Sequence, residues 1–252
     1  MLHLQKTAES IKLNLTKKGV ANIPAAEVAF VLDVSGSFDY YHRSGITQKL
    51  MDKLVPWALV FDPDKRLDVV TFATRSHHVG TIDLANFDSN YIEKSIVDRV
   101  EGYNGGTNYA PAIKECLTIF GWGPAHEKAK PSTTGLRGFF NKITGNTPAE
   151  SNPAEAKAVG RRTIVLFVTD GDNNDHDETM ALLKESESRG DQVYFLLVGV
   201  GNDNFRFLNL AAEKFSNTGF VKVKDINAFT KQTDDQISEA FIGTELIEWL
   251  KK

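Results

Sequence analysis

Four short, continuous apolar runs constrain the fold of this chain more than any other feature. They are EVAFVLD (27–33), LDVVTFA (67–73), TIVLFVTD (163–170) and QVYFLLVGVG (192–201). Apolar residues follow one another in these runs instead of alternating with polar ones, which is typical of strands covered on both faces. Segments with helical character lie between the runs, at 47–61, 91–100, 109–120, 177–189 and 205–214. Strands that alternate with helices predict a doubly wound, Rossmann-like α/β fold with a mainly parallel sheet and helices on both faces.

Two further strands complete a predicted six-stranded sheet. HHVGTID (77–83) follows the second run after too few residues for a crossover helix, so we expect it to be the one antiparallel strand. GFVKVKD (219–225) predicts a sixth strand at an edge, and the last 20 residues predict a closing helix or a pair of helices. Pro56 is expected to bend the helix at 47–61 because proline lacks a backbone donor.

The length of 252 residues suits one domain, residues 1–252, with a sizeable core. Residues 121–160 depart from the alternating order, because they hold four of the eight prolines and six glycines. We therefore predict a flexible insert within the domain there. Its one apolar cluster contains Phe139, Phe140 and Ile143, which form either a docking segment for a partner or a short turn packed on the body.

Composition excludes several classes of partner and compartment. The net charge of −4 and the pI near 5.9 argue against nucleic acid or an anionic membrane as a partner. No apolar run approaches the roughly 20 residues that span a bilayer, and the N-terminus lacks a secretory pattern. The single cysteine, Cys116, cannot form an internal disulfide, so a reducing compartment is expected. We predict a cytoplasmic protein, in which the glycosylation sequon at Asn14 is a chance match.

Oxygen-bearing side chains are concentrated where two of the predicted strands end. Asp33 ends the first run and Asp170 ends LFVTD, so their carboxylates meet if the two strands are neighbours at a topological switch point. Ser35 and Ser37 follow Asp33, and alternate residues leaving a strand face the same way. Thr107 adds a hydroxyl from the glycine-flanked loop GGTNYA. Two carboxylates and three hydroxyls are hard ligands, which suit Mg²⁺, with Mn²⁺ or Ca²⁺ as alternatives, better than zinc.

Three segments of the chain resemble the pieces of a known metal site. FVLDVSGS, GGTNYAPAI and LFVTDGDN are similar to the metal-ion-dependent adhesion site of von Willebrand factor A (vWA) domains. LTKKGV, GITQKLMDKLVPWALVFDPDKRLDVVTFAT and FIGTELIEWLKK resemble the vWA branch found with bacterial tellurium-resistance (Ter) stress proteins, and this likeness covers most of the chain except 121–160. Phe38 stands where the family usually has methionine.

The resemblance implies different roles for the five site residues. Ser35, Ser37 and Thr107 would bind the metal directly, and Asp33 and Asp170 would act mainly through water. Such a site captures an acidic residue of a partner protein, so the resemblance implies a metal-dependent adhesion or scaffold domain in a bacterial tellurite or stress response. Taken singly, each motif is also typical of an ordinary turn or helix cap.

A metal-dependent hydrolase or phosphoryl-transfer enzyme that uses the same carboxylates is the alternative function. An enzyme needs a nucleophile or base near the metal, and neither Ser35 nor Ser37 has an evident general base. An aspartyl-phosphate mechanism would need a carboxylate at the position of Ser35. We therefore predict a binding protein and not an enzyme. A degenerate site in a purely structural domain is a third reading.

The acidic stretch TDGDNNDHDE suggests a calcium loop at first sight, but its spacing does not fit one. Counted from Asp170, the sixth position is Asp175 instead of glycine and the twelfth is Ala181 instead of glutamate. We expect Asp175 and Glu178 to form a capping pair at the start of a helix. Asp172 either tunes the metal site from outside the ligand shell or lies in a solvated loop.

Overall fold

A six-stranded sheet forms the centre of the structure, with the strand order β3-β2-β1-β4-β5-β6. This computed structural model describes residues 2–123 and 162–252. The strands are β1 (Ala26–Asp33), β2 (Arg66–Phe72), β3 (Ser76–Asp83), β4 (Arg162–Thr169), β5 (Val193–Val200) and β6 (Thr218–Val223). All neighbouring strands run parallel except β2 and β3, which are antiparallel. The predicted sheet, with one antiparallel strand at an edge, is confirmed.

Eleven α-helices surround the sheet in the described residues. They are α1 (Leu2–Lys17), α2 (Asp39–Arg43), α3 (Ile46–Leu54), α4 (Pro56–Phe61), α5 (Tyr91–Ser95), α6 (Ala110–Ile119), α7 (His176–Arg189), α8 (Arg206–Lys214), α9 (Ile226–Thr230), α10 (Asp234–Phe241) and α11 (Thr244–Lys251). The segment predicted as one bent helix at 47–61 is two helices, because Pro56 is the first residue of α4. The helix predicted at 91–100 ends at Ser95, and turns follow it. The last two helices confirm the predicted closing pair.

Both faces of the sheet are covered, which is why the central strands are continuously apolar. Every residue of β1 and β5 is buried. One face packs against a core around Trp57 and Phe241, built with α1, α3, α4, α10 and α11. The other face packs against a core around Phe72 and Phe167, built with α6, α7 and α8.

The two cores determine where the chain reverses its winding. The connection from β1 to β2 runs over the face that holds Trp57, whereas the connections from β4 to β5 and from β5 to β6 run over the opposite face. Because β1 and β4 are adjacent and parallel, with Leu32 beside Val168, their carboxyl ends flank a topological switch point. The residues that follow both strands therefore share one crevice.

Helix α1 is an element that the sequence did not predict, because its buried face is partly polar. Ile11 and Leu15 lie on that face beside Thr7 and Asn14. Thr7 donates a hydrogen bond to Asp234 (2.7 Å), and the Asn14 amide donates to Asp235 (2.8 Å) and to Ser238 (2.9 Å) on α10. The polar residues interrupt the apolar periodicity, yet they are paired with α10 and therefore compatible with burial.

The remaining short helices and the predicted insert do not position the site. Helices α2 and α9 were also not predicted, since each has only five residues. The insert at 121–160, with Phe139, Phe140 and Ile143, falls outside the described residues apart from its first three positions. Among the described helices, none is both long enough and apolar enough to cross a membrane.

We expect Ile11→Ala to lower the free energy of unfolding by about 2 to 4 kcal/mol, because the substitution leaves a cavity where α1 meets the core. Ile11 is 1% exposed, whereas Leu13 on the same helix is 53% exposed. The matched control Leu13→Ala should therefore change the free energy by less than about 0.5 kcal/mol. Urea unfolding of both variants tests the prediction, and equal effects would show that α1 is not docked as described.

Candidate metal centre

Asp33 lies at the bottom of the crevice and both of its carboxylate oxygens accept hydrogen bonds. It is the last residue of β1 and is fully buried. Its Oδ1 accepts from the backbone N–H of Ser35 (2.8 Å), and its Oδ2 accepts from the hydroxyl of Thr169 (2.6 Å). Burial raises the pKa of Asp33 to about 6, although the hydrogen bonds from Ser35 and Thr169 oppose that rise.

The two serines after β1 point toward the same place as Asp33. The Oγ atoms of Ser35 and Ser37 are 3.2 Å apart, and the Ser37 hydroxyl donates to Oδ1 of Asp170 (2.9 Å). Ser35 is buried and Ser37 is exposed, so one serine lies inside the crevice and the other lies at the protein surface. Four of the five predicted residues are thus joined by direct side-chain contacts or through the Ser35 backbone.

Asp170 directly follows β4 and is half-buried. Burial raises its pKa, and the negative charge of Asp203, on the loop after β5, adds to the rise. Within residues 2–123 and 162–252, neither Asp33 nor Asp170 forms an ion pair with a lysine or arginine. Within the described ranges, one buried and one half-buried carboxylate therefore lie at the same strand ends with no lysine or arginine paired to either.

Thr107, the fifth predicted residue, is brought to the crevice by backbone pairing of its loop. Gly36 N donates to Gly105 O (3.1 Å) and Asn104 N donates to Val34 O (2.8 Å), which align the loop with the end of β1. On the other side, Asn174 donates to the Thr107 carbonyl from its backbone N (2.8 Å) and from its side chain (3.0 Å). The half-buried threonine thus lies between the segments after β1 and β4.

Glycine is required in this loop by close backbone contact. A Cβ at Gly105 would lie 2.9 Å from the carbonyl oxygen of Gly102 and 3.0 Å from Cβ of Ala73. Real Cβ atoms are essentially never that close to a carbonyl oxygen, so a larger residue would displace the loop. The first glycine of GGT, Gly105, is therefore a packing requirement of the strand-end crevice.

Three other residues contact the crevice without having been predicted. Thr169 donates to Asp33, and the Tyr109 hydroxyl shares its one proton between the Thr169 hydroxyl oxygen (3.1 Å) and the Gly171 carbonyl. His42 lies under Asp33, with its Nε2 2.9 Å from the Asp33 carbonyl oxygen. Burial lowers the pKa of His42 to about 4, so the ring is neutral near pH 7 and Nε2 donates to the carbonyl. Only Thr169, beside Asp170 in the T-D-G motif, carried a local sequence signal.

The acidic loop after β4 holds neighbouring helices. Asp175 precedes α7 as predicted, but its side chain does not cap that helix. It accepts instead from the backbone N–H groups of Tyr109 (2.9 Å) and Ala110 (2.8 Å), where α6 begins. The prediction of an Asp175–Glu178 capping pair is wrong, because the unpaired backbone N–H groups at the start of α6 bind the Asp175 carboxylate instead. Asp172 is half-buried and accepts from Phe207 N (3.2 Å) at the start of α8.

The donor set favours a hard cation over zinc. In the described part of the chain, no three His, Cys, Asp or Glu side chains are grouped as ligands of one ion. The crevice supplies two carboxylates and neutral hydroxyls, which are oxygen ligands of the kind that Mg²⁺ prefers. Oxygens on one edge of a Mg²⁺ octahedron lie about 3 Å apart. The 3.2 Å separation of the Ser35 and Ser37 hydroxyls is compatible with that spacing.

The sheet order and the strand-end crevice are compatible with a von Willebrand factor A domain, and a family match shows that the chain contains one. A family model described as vWA-TerF-like, the vWA found in the TerF C terminus, matches residues 25–128 and 149–252. The chain therefore belongs to the vWA-TerF-like family, as its resemblance to the Ter-associated branch implied.

A curated relative and two solved structures are also similar to the chain. An uncharacterized protein of Bacillus subtilis, YcbR, is 24% identical over 255 residues, which cover all of this chain and 87% of the relative. The von Willebrand factor type A structure from Catenulispora acidiphila is 14% identical, with a TM-score of 0.52 over 88% of this chain and 43% of the other. Proximal thread matrix protein 1 of the mussel byssus is 16% identical, with a TM-score of 0.51 over 90% of this chain and 48% of that one. The chain spans less than half of either structure, and both support the fold alone.

We expect Asp33→Asn to gain stability relative to the wild type as pH rises, when divalent ions are removed by EDTA. The pKa of Asp33 is about 6 in the folded protein and 3.8 for an ordinary aspartate, so the contribution of Asp33 to the stability of the wild type falls as pH rises through this window. The asparagine does not titrate, so the difference in unfolding free energy should shift in its favour by up to about 3 kcal/mol between pH 4 and pH 7.

Urea unfolding at several pH values measures this difference. His42 titrates in the same range, but it is present in both proteins and cancels in the comparison. A difference that does not change with pH would contradict the buried, uncompensated state of Asp33.

Proposed function

We propose that this chain is a divalent-metal-dependent protein-binding domain. Asp33, Ser35, Ser37, Thr107 and Asp170 would hold Mg²⁺, with Mn²⁺ or Ca²⁺ as alternatives, and the ion would capture an acidic side chain of a partner protein. The observation that carries the proposal is a pair of carboxylates with raised pKa values, buried Asp33 and half-buried Asp170, beside two serine hydroxyls. Among the described residues, neither carboxylate forms an ion pair with a lysine or arginine. A bound cation would remove the electrostatic cost of this arrangement.

The hydrogen bonds around Asp33 favour direct binding by the hydroxyls. Both Asp33 oxygens already accept protein hydrogen bonds, so this carboxylate acts best through metal-bound water. Ser35, Ser37 and Thr107 are neutral and would leave an ion balanced only by Asp33 and Asp170. Bound there, Mg²⁺ supplies positive charge and a coordination position that suits an incoming carboxylate.

Family membership and chain composition support the wider setting of this function. The vWA-TerF-like family supports a role in a bacterial tellurite or stress response. The family match is interrupted only between residues 128 and 149, which supports one domain, 1–252, with an insert in the region 121–160. The chain has a single cysteine, Cys116, which cannot form an internal disulfide, and this suits a cytoplasmic location. The net charge of −4 supports a protein partner over nucleic acid or a membrane surface.

The contacts of the two serines favour a binder over the alternative hydrolase or phosphoryl-transfer enzyme. The Ser35 and Ser37 hydroxyls contact each other, and Ser37 donates to Asp170. His42, the histidine nearest to Asp33, donates to a backbone carbonyl and not to either hydroxyl. A serine nucleophile needs an oriented base within hydrogen-bond reach, and no histidine in the described chain contacts these serines.

We expect Ser35→Ala and Thr107→Ala each to weaken Mg²⁺ binding at least about 10-fold, because each removes one ligand oxygen. Isothermal titration with MgCl₂ measures the affinity. The control Ser89→Ala changes an exposed serine in the loop that follows β3, and it should bind Mg²⁺ like the wild type.

A wild-type protein that binds no divalent ion at millimolar concentration would refute the metal site and support a purely structural domain. The same samples should not hydrolyse p-nitrophenyl phosphate. Turnover that requires Mg²⁺ and disappears in Ser35→Ala would instead support the enzyme.

We expect partner capture by the immobilised wild type to require Mg²⁺ and to be lost in Thr107→Ala and in EDTA. The captured protein is then produced with each of its exposed acidic residues changed to the corresponding amide. One such change should weaken the affinity of the captured protein for this chain by about 100-fold or more, because a neutral amide is a poor ligand of a hard cation. Capture that survives EDTA and all acid-to-amide changes would refute metal-mediated recognition of a carboxylate.

A further inference from the structure

A chain of buried hydrogen bonds joins the three sequence segments that form the crevice. Tyr109, two residues after Thr107, donates to the hydroxyl of Thr169 (3.1 Å), and Thr169 donates to Oδ2 of Asp33 (2.6 Å). Tyr109 is 1% exposed, and Thr169 and Asp33 are fully buried. Neither Tyr109 nor Thr169 belongs to the proposed ligand set.

The direction of this chain follows from counting protons. An ionised Asp33 can only accept, so the single proton of the Thr169 hydroxyl is directed to it. The Thr169 oxygen is then free to accept, and it shares the single proton of the Tyr109 hydroxyl with the carbonyl of Gly171. Tyr109 therefore holds the residues on both sides of Asp170, while Thr169 holds Asp33.

The tyrosine ring is itself immobilised. It packs edge-on against Phe72, Phe167 and Phe207, with ring centroids 5.6, 5.0 and 5.7 Å away, and its backbone N–H donates to Asp175. In such an apolar environment a phenylalanine would fill the same space. The hydroxyl is therefore a polar group buried for the hydrogen bonds that it makes.

We propose that Thr169 and Tyr109 are positioning residues that fix the carboxylate of Asp33 and the turn containing Asp170, and so set the preference of the site for Mg²⁺ over Ca²⁺. The inference rests on the proposed metal-binding function. Mg²⁺ demands short distances and near-octahedral geometry, whereas Ca²⁺ accepts longer distances and irregular shells. Groups that orient metal ligands from outside the shell contribute strongly to affinity. Loss of the two hydroxyls loosens the site, which penalises Mg²⁺ more than Ca²⁺.

The experiment compares Thr169→Val and Tyr109→Phe, which remove the hydroxyls with little change of volume, with the wild type. Calorimetric titration with MgCl₂ and with CaCl₂ should show Mg²⁺ affinity reduced about 10-fold in each variant and Ca²⁺ affinity reduced less. Thr169→Ser keeps the hydroxyl and should restore the wild-type ratio of the two affinities. The matched control Tyr194→Phe alters another buried tyrosine, near the amino end of β5, and should leave both affinities unchanged.

A measurement in EDTA separates failure of this inference from failure of the proposed function. The backbone N–H of Ser35 donates to Asp33 Oδ1, so its hydrogen exchange should be faster in Thr169→Val than in Thr169→Ser if Thr169 holds the carboxylate. Wild-type Mg²⁺ and Ca²⁺ affinities in both hydroxyl-free variants would overturn the inference. An equal loss of both affinities, with unchanged Ser35 exchange, would also overturn it and indicate a structural role. A wild type that binds neither ion would refute the proposed function, and the metal preference with it.

Discussion

The parallel pairing of β1 and β4 brings two carboxylates to the same end of the sheet, and the rest of the site is built around them. Asp33 ends β1 and is buried, and Asp170 follows β4 and is half-buried, so adjacent strands place like charges in one crevice. Proteins avoid such an arrangement unless hydrogen bonds or a cation compensate it. Burial is the main cause of the raised pKa values of both groups, with a smaller contribution from nearby negative charge, Asp170 acting on Asp33 and Asp203 acting on Asp170. The hydroxyls of Ser35 and Ser37 add polar contacts at this edge without adding charge.

The fold could be predicted from the sequence wherever burial alone determines the order of apolar and polar residues. The strands buried on both faces appear as unbroken apolar runs, and the short link before β3 restricts it to antiparallel pairing. Helix α1 was missed because Thr7 and Asn14 lie on its buried face, where partners on α10 compensate them. Those partners follow in the sequence by more than 200 residues, so no local pattern reveals the pairing.

In the candidate site, too, the residues of one motif could be predicted from the sequence, whereas contacts between distant segments could not. Asp33, Ser35 and Ser37 share one motif, and strand order explains how Asp170 reaches them. The hydrogen bond from Tyr109 to Thr169 joins residues that are far apart in the chain, so it is visible only in three dimensions. Asp175 illustrates a local rule that fails: its position suits a cap of α7, yet the nearer unpaired donors belong to α6.

The loop of residues 170–175 is tied to other segments at nearly every position. Asp170 accepts from Ser37, the Gly171 carbonyl accepts from Tyr109, Asp172 accepts from the start of α8, Asn174 donates to the carbonyl of Thr107, and Asp175 accepts from the start of α6. Six residues with so many attachments cannot shift one at a time. The position of the Asp170 carboxylate is therefore tied to the packing of α6 and α8, because a shift of this loop would break the hydrogen bonds that Asp175 and Asp172 accept from the amino ends of those helices.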